Sequence, residues 1–206
     1  MRGVERIPWA YDAFMSLAEP FGLDRWRRRL TAEATGRILE VGCGTGRNLP
    51  LYAVPARVVA LDPDLGLLLA ARRRSSAVPL LVASAEALPF RSASFDTVVA
   101  SLVFCSVPDP HRGLRETARV LARHGRLRMM EHVRHHRPLL ARLQDRVQPG
   151  WTWLTGGCRP NRDTEAVVEA AGFAIDLETR RSKGTMRLFV ARHRERRPRG
   201  SISATD

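Results

Sequence analysis

Apolar positions follow two rhythms along this chain. Short apolar runs bounded by glycine, proline or charge recur at 37–41, 57–61, 79–83, 95–101, 126–130, 173–179 and 186–191, and each predicts a strand. Residues 95–101 are nearly all apolar after Asp96, as in a strand buried on both faces. Between the runs, apolar residues three and four apart predict helices over 65–74, 139–147 and 164–171. Another helix is predicted after Gly46, ending before Pro55. A further one begins at Asp109 and Pro110, an N-cap and first-turn pair. Its stripe is Leu114, Ala118 and Leu121, and Gly125 is expected to stop it. Strands alternating with helices predict an α/β fold, a Rossmann-like doubly wound sheet with helices on both faces.

Two segments break the alternation. Ahead of the first strand, Trp9, Phe14, Leu17, Phe21, Trp26 and Leu30 predict one or two amphipathic helices, interrupted at Pro20 and Gly22. Residues 1–33 are therefore expected to form a helical cap. Residues 133–162 hold Pro138, Pro149, Gly150, Trp151, Trp153, Gly156, Gly157 and Pro160, and predict an insertion with one helix followed by a loop. Residues 192–206 are expected to be a tail, and 1–206 as a whole one domain.

Composition narrows the class. Apolar residues make up 44% of 206, enough for a full core. No apolar stretch has the length of a bilayer span, and residues 1–9 hold no signal-peptide apolar region, so a cytoplasmic protein is expected. The net charge of +13 is almost all arginine. Arg25, Arg27, Arg28 and Arg29 and the run Arg72–Arg74 fall in predicted helices without interleaved exposed aromatics, which favours solvated faces over phosphate contacts. Cys43, Cys105 and Cys158 are widely spaced, and the six histidines form no HExxH motif; the sequence predicts no disulfide framework and no metal site.

The chemistry concentrates after the first strand. Ile38–Val41 runs into Gly42-Cys-Gly44-Thr-Gly46, and the second strand ends in Asp62. Strand, glycine turn and an acid at the next strand tip together make a nucleoside-binding unit. The third glycine comes one residue earlier than in a nicotinamide fingerprint, and Glu40 precedes the first.

Further blocks follow in order: Asp62-Pro63, Ala83-Ser-Ala-Glu-Ala-Leu-Pro-Phe90, Phe95-Asp96, and Leu114-Arg-Glu-Thr-Ala-Arg-Val-Leu121 before Gly125. With the glycine turn they resemble the class I S-adenosylmethionine-dependent methyltransferases, from about residue 37 to 190. The resemblance implies a seven-stranded sheet, mostly parallel with an antiparallel last strand, and S-adenosyl-L-methionine as cofactor. It assigns Glu40, Gly42, Gly44 and Gly46 to the methionine part and ribose, and Asp62 with Pro63 to the ribose hydroxyls. Ser84, Ala85 and Glu86 are to border the adenine; Ser101 and Leu102 are to face the sulfonium. Many relatives have an aspartate where Ser84 stands, so the adenine amine falls to the Ala85 backbone or Glu86.

The acceptor is read elsewhere. Ser101–Pro108 lacks the Asn/Asp-Pro-Pro-aromatic motif of nucleic-acid amino methylation, and Phe104 rather than proline precedes Cys105, so nucleic acid is disfavoured. Leu102-Val-Phe-Cys-Ser-Val107, Met130-Glu-His-Val133 and Trp153-Leu-Thr-Gly-Gly-Cys158 resemble the methyltransferase-like thiol S-methyltransferases of microsomal membranes. Their neighbours include phospholipid N-methyltransferases and quinone C-methyltransferases. That resemblance implies a small or lipid-like acceptor, first a thiol, with His132 and Glu131 as candidate bases and Trp151, Trp153 and Cys158 lining its pocket. A phospholipid amine, a quinone carbon, and a non-enzymatic adenosylmethionine-binding regulatory or nucleic-acid-associated module are the alternatives. Peripheral membrane contact and oligomeric state stay open at this point.

Overall fold

The computed structural model describes residues 7–9, 12, 13, 16, 22–53 and 57–194. In chain order the elements are α1 (Leu23–Ala32), β1 (Arg37–Val41), a 3₁₀ turn (Leu49–Leu51), β2 (Arg57–Asp62), α2 (Leu65–Arg74), β3 (Leu80–Val82) and β4 (Phe95–Ser101). Then come α3 (Pro110–Val120), β5 (Leu121–His132), α4 (Pro138–Thr155), α5 (Thr164–Ala170), β6 (Phe173–Lys183) and β7 (Met186–His193). The sheet has seven strands in the order β3-β2-β1-β4-β5-β7-β6. β1 to β5 pair in parallel, and β7 runs antiparallel to both β5 and β6.

Alternate residues of the central strands feed two apolar layers. Leu39, Val98, Leu127 and Met129 pack on one face with Leu114, Val168 and Phe173. Ile38, Val99 and Met130 pack on the other with Leu30 and Ala34. Burial on both faces is the reason the strands read as continuous apolar runs. After β3 the chain crosses back past β1 to form β4, so the sheet order reverses between β1 and β4. Crevices at such reversals, beyond the carboxyl ends of the strands, are where ligands bind in these sheets.

α1 is locked to the sheet. The buried Arg128 of β5 donates to the carbonyls of Leu30 (2.8 Å) and Arg29 (3.0 Å) and to Glu33 (3.1 Å), a cation on the unpaired C-terminal end of a helix. Leu30 is fully buried, whereas Trp9 is exposed. Phe14, Leu17, Pro20, Phe21, Pro55 and the tail from 195 lie outside the described residues.

Several boundaries depart from the periodicity. Among the described residues only the 3₁₀ turn forms after Gly46. Gly125 does not end α3; Leu121 turns extended and the chain enters β5 directly, with a register irregularity near Phe95. α4 runs to Thr155, through Pro149, where a loop was expected. Gln148 donates to Thr152 (2.8 Å), and Thr152 and Thr155 bond the following turn at Cys158, which anchors the second half of the helix. Arg192 and His193 belong to β7 instead of the tail.

Candidate active site

The carboxyl ends of β1, β2 and β4 open onto a cavity of about 550 Å³. Its wall runs continuously from Gly42, Gly44 and Asp62, past Ser84, Ala85 and Glu86, over Ser101 and Leu102, to His132, Trp151 and Cys158.

At the first end the glycine turn bends with positive φ at Gly42 (63°), Gly44 (55°) and Gly46 (79°), a region glycine enters without steric cost. A β-carbon at Gly42 would sit 2.6 Å from Val103 Cγ2. Gly42 thus keeps backbone, rather than side chain, at the cavity wall. Asp62 is 7% exposed, and its two oxygens accept from the Gly44 N–H (3.0 Å) and the Asp64 N–H (2.9 Å). These bonds aim a carboxylate into the cavity from the tip of β2. Pro63 lines the wall beside it. Ser84 and Glu86 bond each other, and Glu86 is fixed further by the Asp109 N–H (2.7 Å).

Behind this wall lies a polar cluster that sequence reasoning did not find. Arg27, 4% exposed, donates to Asn48 (2.9 Å) and Ser101 (3.2 Å), and Asn48 donates to Glu40 (2.9 Å). Burial pushes the Glu40 carboxyl up to about 7, against the opposing pull of Tyr52, Asn48 and Arg27. Arg27 belongs to a helix face that reads as solvated, and its burial depends on α1 folding over the sheet. Asp12 reaches the glycine turn from the other side, accepting from Thr45 (2.7 Å), Arg47 (3.1 Å) and Arg74 (2.7 Å).

At the far end, Leu102 has φ 61°, a strained conformation for a side-chain-bearing residue. The buried Glu131 carboxylate holds the next turn, accepting from the N–H groups of Val103 (2.9 Å), Phe104 (2.9 Å) and Cys105 (3.3 Å). Burial raises its pKa to about 7, and those three donors pull the other way. Cys158 Sγ lies 3.7 Å from Cys105 Sγ and 3.9 Å from His132 Nδ1. Cys105 and the His132 ring hold the Cys158 thiol below its usual value, while Cys105 is pushed up by Cys158 and by burial.

The expected site residues therefore divide. Gly42, Gly44, Asp62, Pro63, Ser84, Ala85, Glu86, Ser101, Leu102, His132, Trp151 and Cys158 share the cavity wall. Glu40, Gly46, Glu131 and Trp153 do not. Glu40 is sealed behind the glycine turn. A β-carbon at Gly46 would meet the Ala71 backbone at 2.9 Å, so that glycine serves the packing of the turn on α2. Glu131 points back at the turn after β4 instead of at an acceptor. Trp153 is 67% exposed because α4 continues through it and turns it outward.

The cavity fits a nucleoside bearing a sulfonium. Asp62 offers a carboxylate for vicinal hydroxyls, Gly42 and Gly44 offer close backbone, and Leu67 and Ala85 offer an apolar wall for a base. A methyltransferase domain model matches residues 39–129, which span the glycine turn, Asp62 and β4. The demethylmenaquinone methyltransferase of Clavibacter sepedonicus is 30% identical, over 97% of this chain and 91% of that protein. The chain belongs to the S-adenosylmethionine-dependent methyltransferases. A thiol S-methyltransferase of Rattus norvegicus is 35% identical over 68% of this methyltransferase chain, which spans 62% of that relative's length. A solved SAM-dependent methyltransferase from Thermotoga maritima shares the fold, with TM-score 0.62 and 22% identity over 88% of this chain and 97% of that one. The methyl donor follows from the family; the acceptor does not.

Proposed function

We propose that this methyltransferase methylates a thiol, drawn from small or lipid-like molecules. The observation that carries the reading is the position of His132, at the end of the cavity that starts at Asp62. Similarity to a thiol S-methyltransferase supports the same choice.

S-adenosylmethionine, when bound, supplies an electrophilic methyl group. Asp62 is the residue to hold the ribose hydroxyls, Ala85 and Glu86 to border the adenine, and Ser101 and Leu102 to face the sulfonium. Displacement at a sulfonium methyl needs alignment and exclusion of water more than acid–base help. A thiol acceptor adds one requirement, loss of its proton, because the thiolate is the nucleophile. His132 is the cavity-wall imidazole able to take that proton. Trp151 gives the acceptor an apolar wall. Glu131 acts by holding the Val103–Cys105 turn.

A lipid-like acceptor is favoured by a separate observation. α4 exposes Leu139, Leu140, Leu143, Val147 and Leu154, and Leu154 also lines the cavity mouth. With the +13 charge, this apolar face supports peripheral contact with an anionic membrane surface. No helix among the described residues is long and apolar enough to cross a membrane. The protein is then cytoplasmic, touching a bilayer only to collect its acceptor.

The test offers alkyl and aryl thiols, phosphatidylethanolamine vesicles and a demethylated quinone to the protein with methyl-labelled S-adenosylmethionine. Labelled thioethers from the thiols, falling at least tenfold in His132→Ala, are expected. Product from phosphatidylethanolamine alone, or from the quinone alone, would move the assignment to an amine or a ring carbon. Cofactor binding without turnover on any acceptor would leave a regulatory module.

A further inference from the structure

We propose that Cys105, His132 and Cys158 form a site for a soft divalent metal ion, zinc first, with its fourth position open to the acceptor end of the cavity. This deepens the thiol reading above and rests on it for the role, though not for the site itself.

The geometry carries the proposal. The three residues come from the turn after β4, the end of β5 and the turn after α4, and no sequence spacing connects them. Their donor atoms nevertheless lie within 4.8 Å of one another. Tetrahedral zinc with Zn–S near 2.3 Å and Zn–N near 2.0 Å requires an S···S edge of about 3.8 Å and an S···N edge of about 3.5 Å. The observed Cys105–Cys158 distance is 3.7 Å, and Cys158 Sγ to His132 Nδ1 is 3.9 Å. Closing the remaining edge needs a shift of at most about 1.3 Å, within the reach of a side-chain torsion. Two thiolates and an imidazole are a donor set that selects zinc over hard cations.

The surroundings hold these ligands in place. Glu131 accepts from the Cys105 N–H, and the Arg159 N–H donates to the Cys105 carbonyl (2.9 Å). Arg162 donates to the carbonyls of Phe104 and Val107 on either side. The Cys158 N–H is held by Thr155 Oγ1 (3.2 Å). Rigid support of this kind is what keeps a metal site at its working geometry. Arg162 also places a positive charge near the two sulfurs.

All three residues line the cavity, so protein fills three positions and the cavity offers the fourth. That is the pattern of catalytic rather than structural zinc sites. An incoming thiol displaces the water at the fourth position. Its S–H bond breaks, the proton leaves to solvent, and the sulfur binds the metal as thiolate. The metal takes over the task assigned to His132 in the metal-free protein. The sulfur lone pair then forms the new S–C bond while the donor's S–C bond breaks, its electron pair staying on the donor sulfur.

The test uses the full chain, reduced and stripped of metal, titrated with Co²⁺ and then Zn²⁺. One equivalent of Co²⁺ should give thiolate-to-cobalt charge transfer and the visible bands of a tetrahedral ion, and Zn²⁺ should bleach both. Cys105→Ser and Cys158→Ser should weaken binding at least 100-fold, and Cys43→Ser should not change it. X-ray absorption of the wild-type zinc protein should show two sulfurs and one nitrogen, which covers a variant that fails to fold. Excess thiol should raise the count to three sulfurs. No stoichiometric binding, binding kept in Cys158→Ser, or a zinc shell without sulfur would overturn the site. Thioether formation undiminished in the metal-free protein would overturn the metal's role while leaving the thiol reading intact. A two-sulfur site that never gains a third, with no thioether formed, would overturn the thiol reading and leave the site standing.

Discussion

Replacing Glu131 with alanine removes the acceptor of three backbone N–H groups at once. Val103, Phe104 and Cys105 donate to its carboxylate in the turn that closes the His132 end of the cavity. A buried donor left without an acceptor costs about 1–3 kcal/mol. Three would reach roughly 3–9 kcal/mol if nothing relaxed; because the turn borders a cavity, water can recover part of this, and a loss near 3–5 kcal/mol is expected. The neighbouring strain at Leu102, about 1–3 kcal/mol, is tolerated only while the turn is held. For a domain of this length each kcal/mol moves the melting temperature by about 2–4 °C, so Glu131→Ala should melt roughly 10 °C lower. Hydrogen exchange should show that lost protection is greatest at 103–105. Glu131→Gln keeps one oxygen for Val103 and Phe104 and turns an NH₂ toward Cys105, so its loss should be about 1–2 kcal/mol. A catalytic base would give the opposite pattern, with normal melting and turnover abolished equally by both variants. A Glu131→Ala melting temperature within 2 °C of wild type would refute the bracing argument.

Two other perturbations follow from the same geometry. Glu40 is held near pH 7 in the folded protein and titrates near 4.5 when exposed. The fold therefore binds the extra proton between those values, and stability is lost as pH rises through them. Glu40→Gln should gain up to about 3 kcal/mol relative to wild type between pH 5 and pH 8 in urea denaturation; an equal difference at both pH values would contradict the burial argument. Gly42→Ala combines a positive φ with a β-carbon 2.6 Å from Val103, and should cost about 2–5 kcal/mol in stability and weaken cofactor binding; wild-type melting would show that the turn does not need glycine.

The donor half of the site was legible because its chemistry is local. A strand, a glycine turn and an acid at the next strand tip are short-range features, and Gly42, Gly44 and Asp62 do meet at one cavity end. Glu40 was grouped with them through the family resemblance, but alternate residues of β1 face opposite sides, and its side chain lies behind the turn. The half proposed for the acceptor is assembled from 101–107, 131–132 and 151–158, where tertiary packing decides which way each side chain points. Pro149 and Gly150 read as a helix end, yet α4 passes through them and turns Trp153 outward. Arg27 could not be told from a solvated arginine, because its burial exists only once α1 lies against the sheet. Cys105 and Cys158 are 53 residues apart in sequence and 3.7 Å apart in space, a relation that spacing rules do not reach.

Calorimetric titration of S-adenosylmethionine into the wild-type chain and into Asp62→Ala tests the central claim most directly. Charge-assisted hydrogen bonds to a ligand contribute about 1.5–3 kcal/mol each, so the variant should bind at least tenfold more weakly, with folding checked separately by its melt. A folded Asp62→Ala protein that binds the cofactor as tightly as wild type would contradict the placement of the methyl donor at the carboxyl ends of β1, β2 and β4.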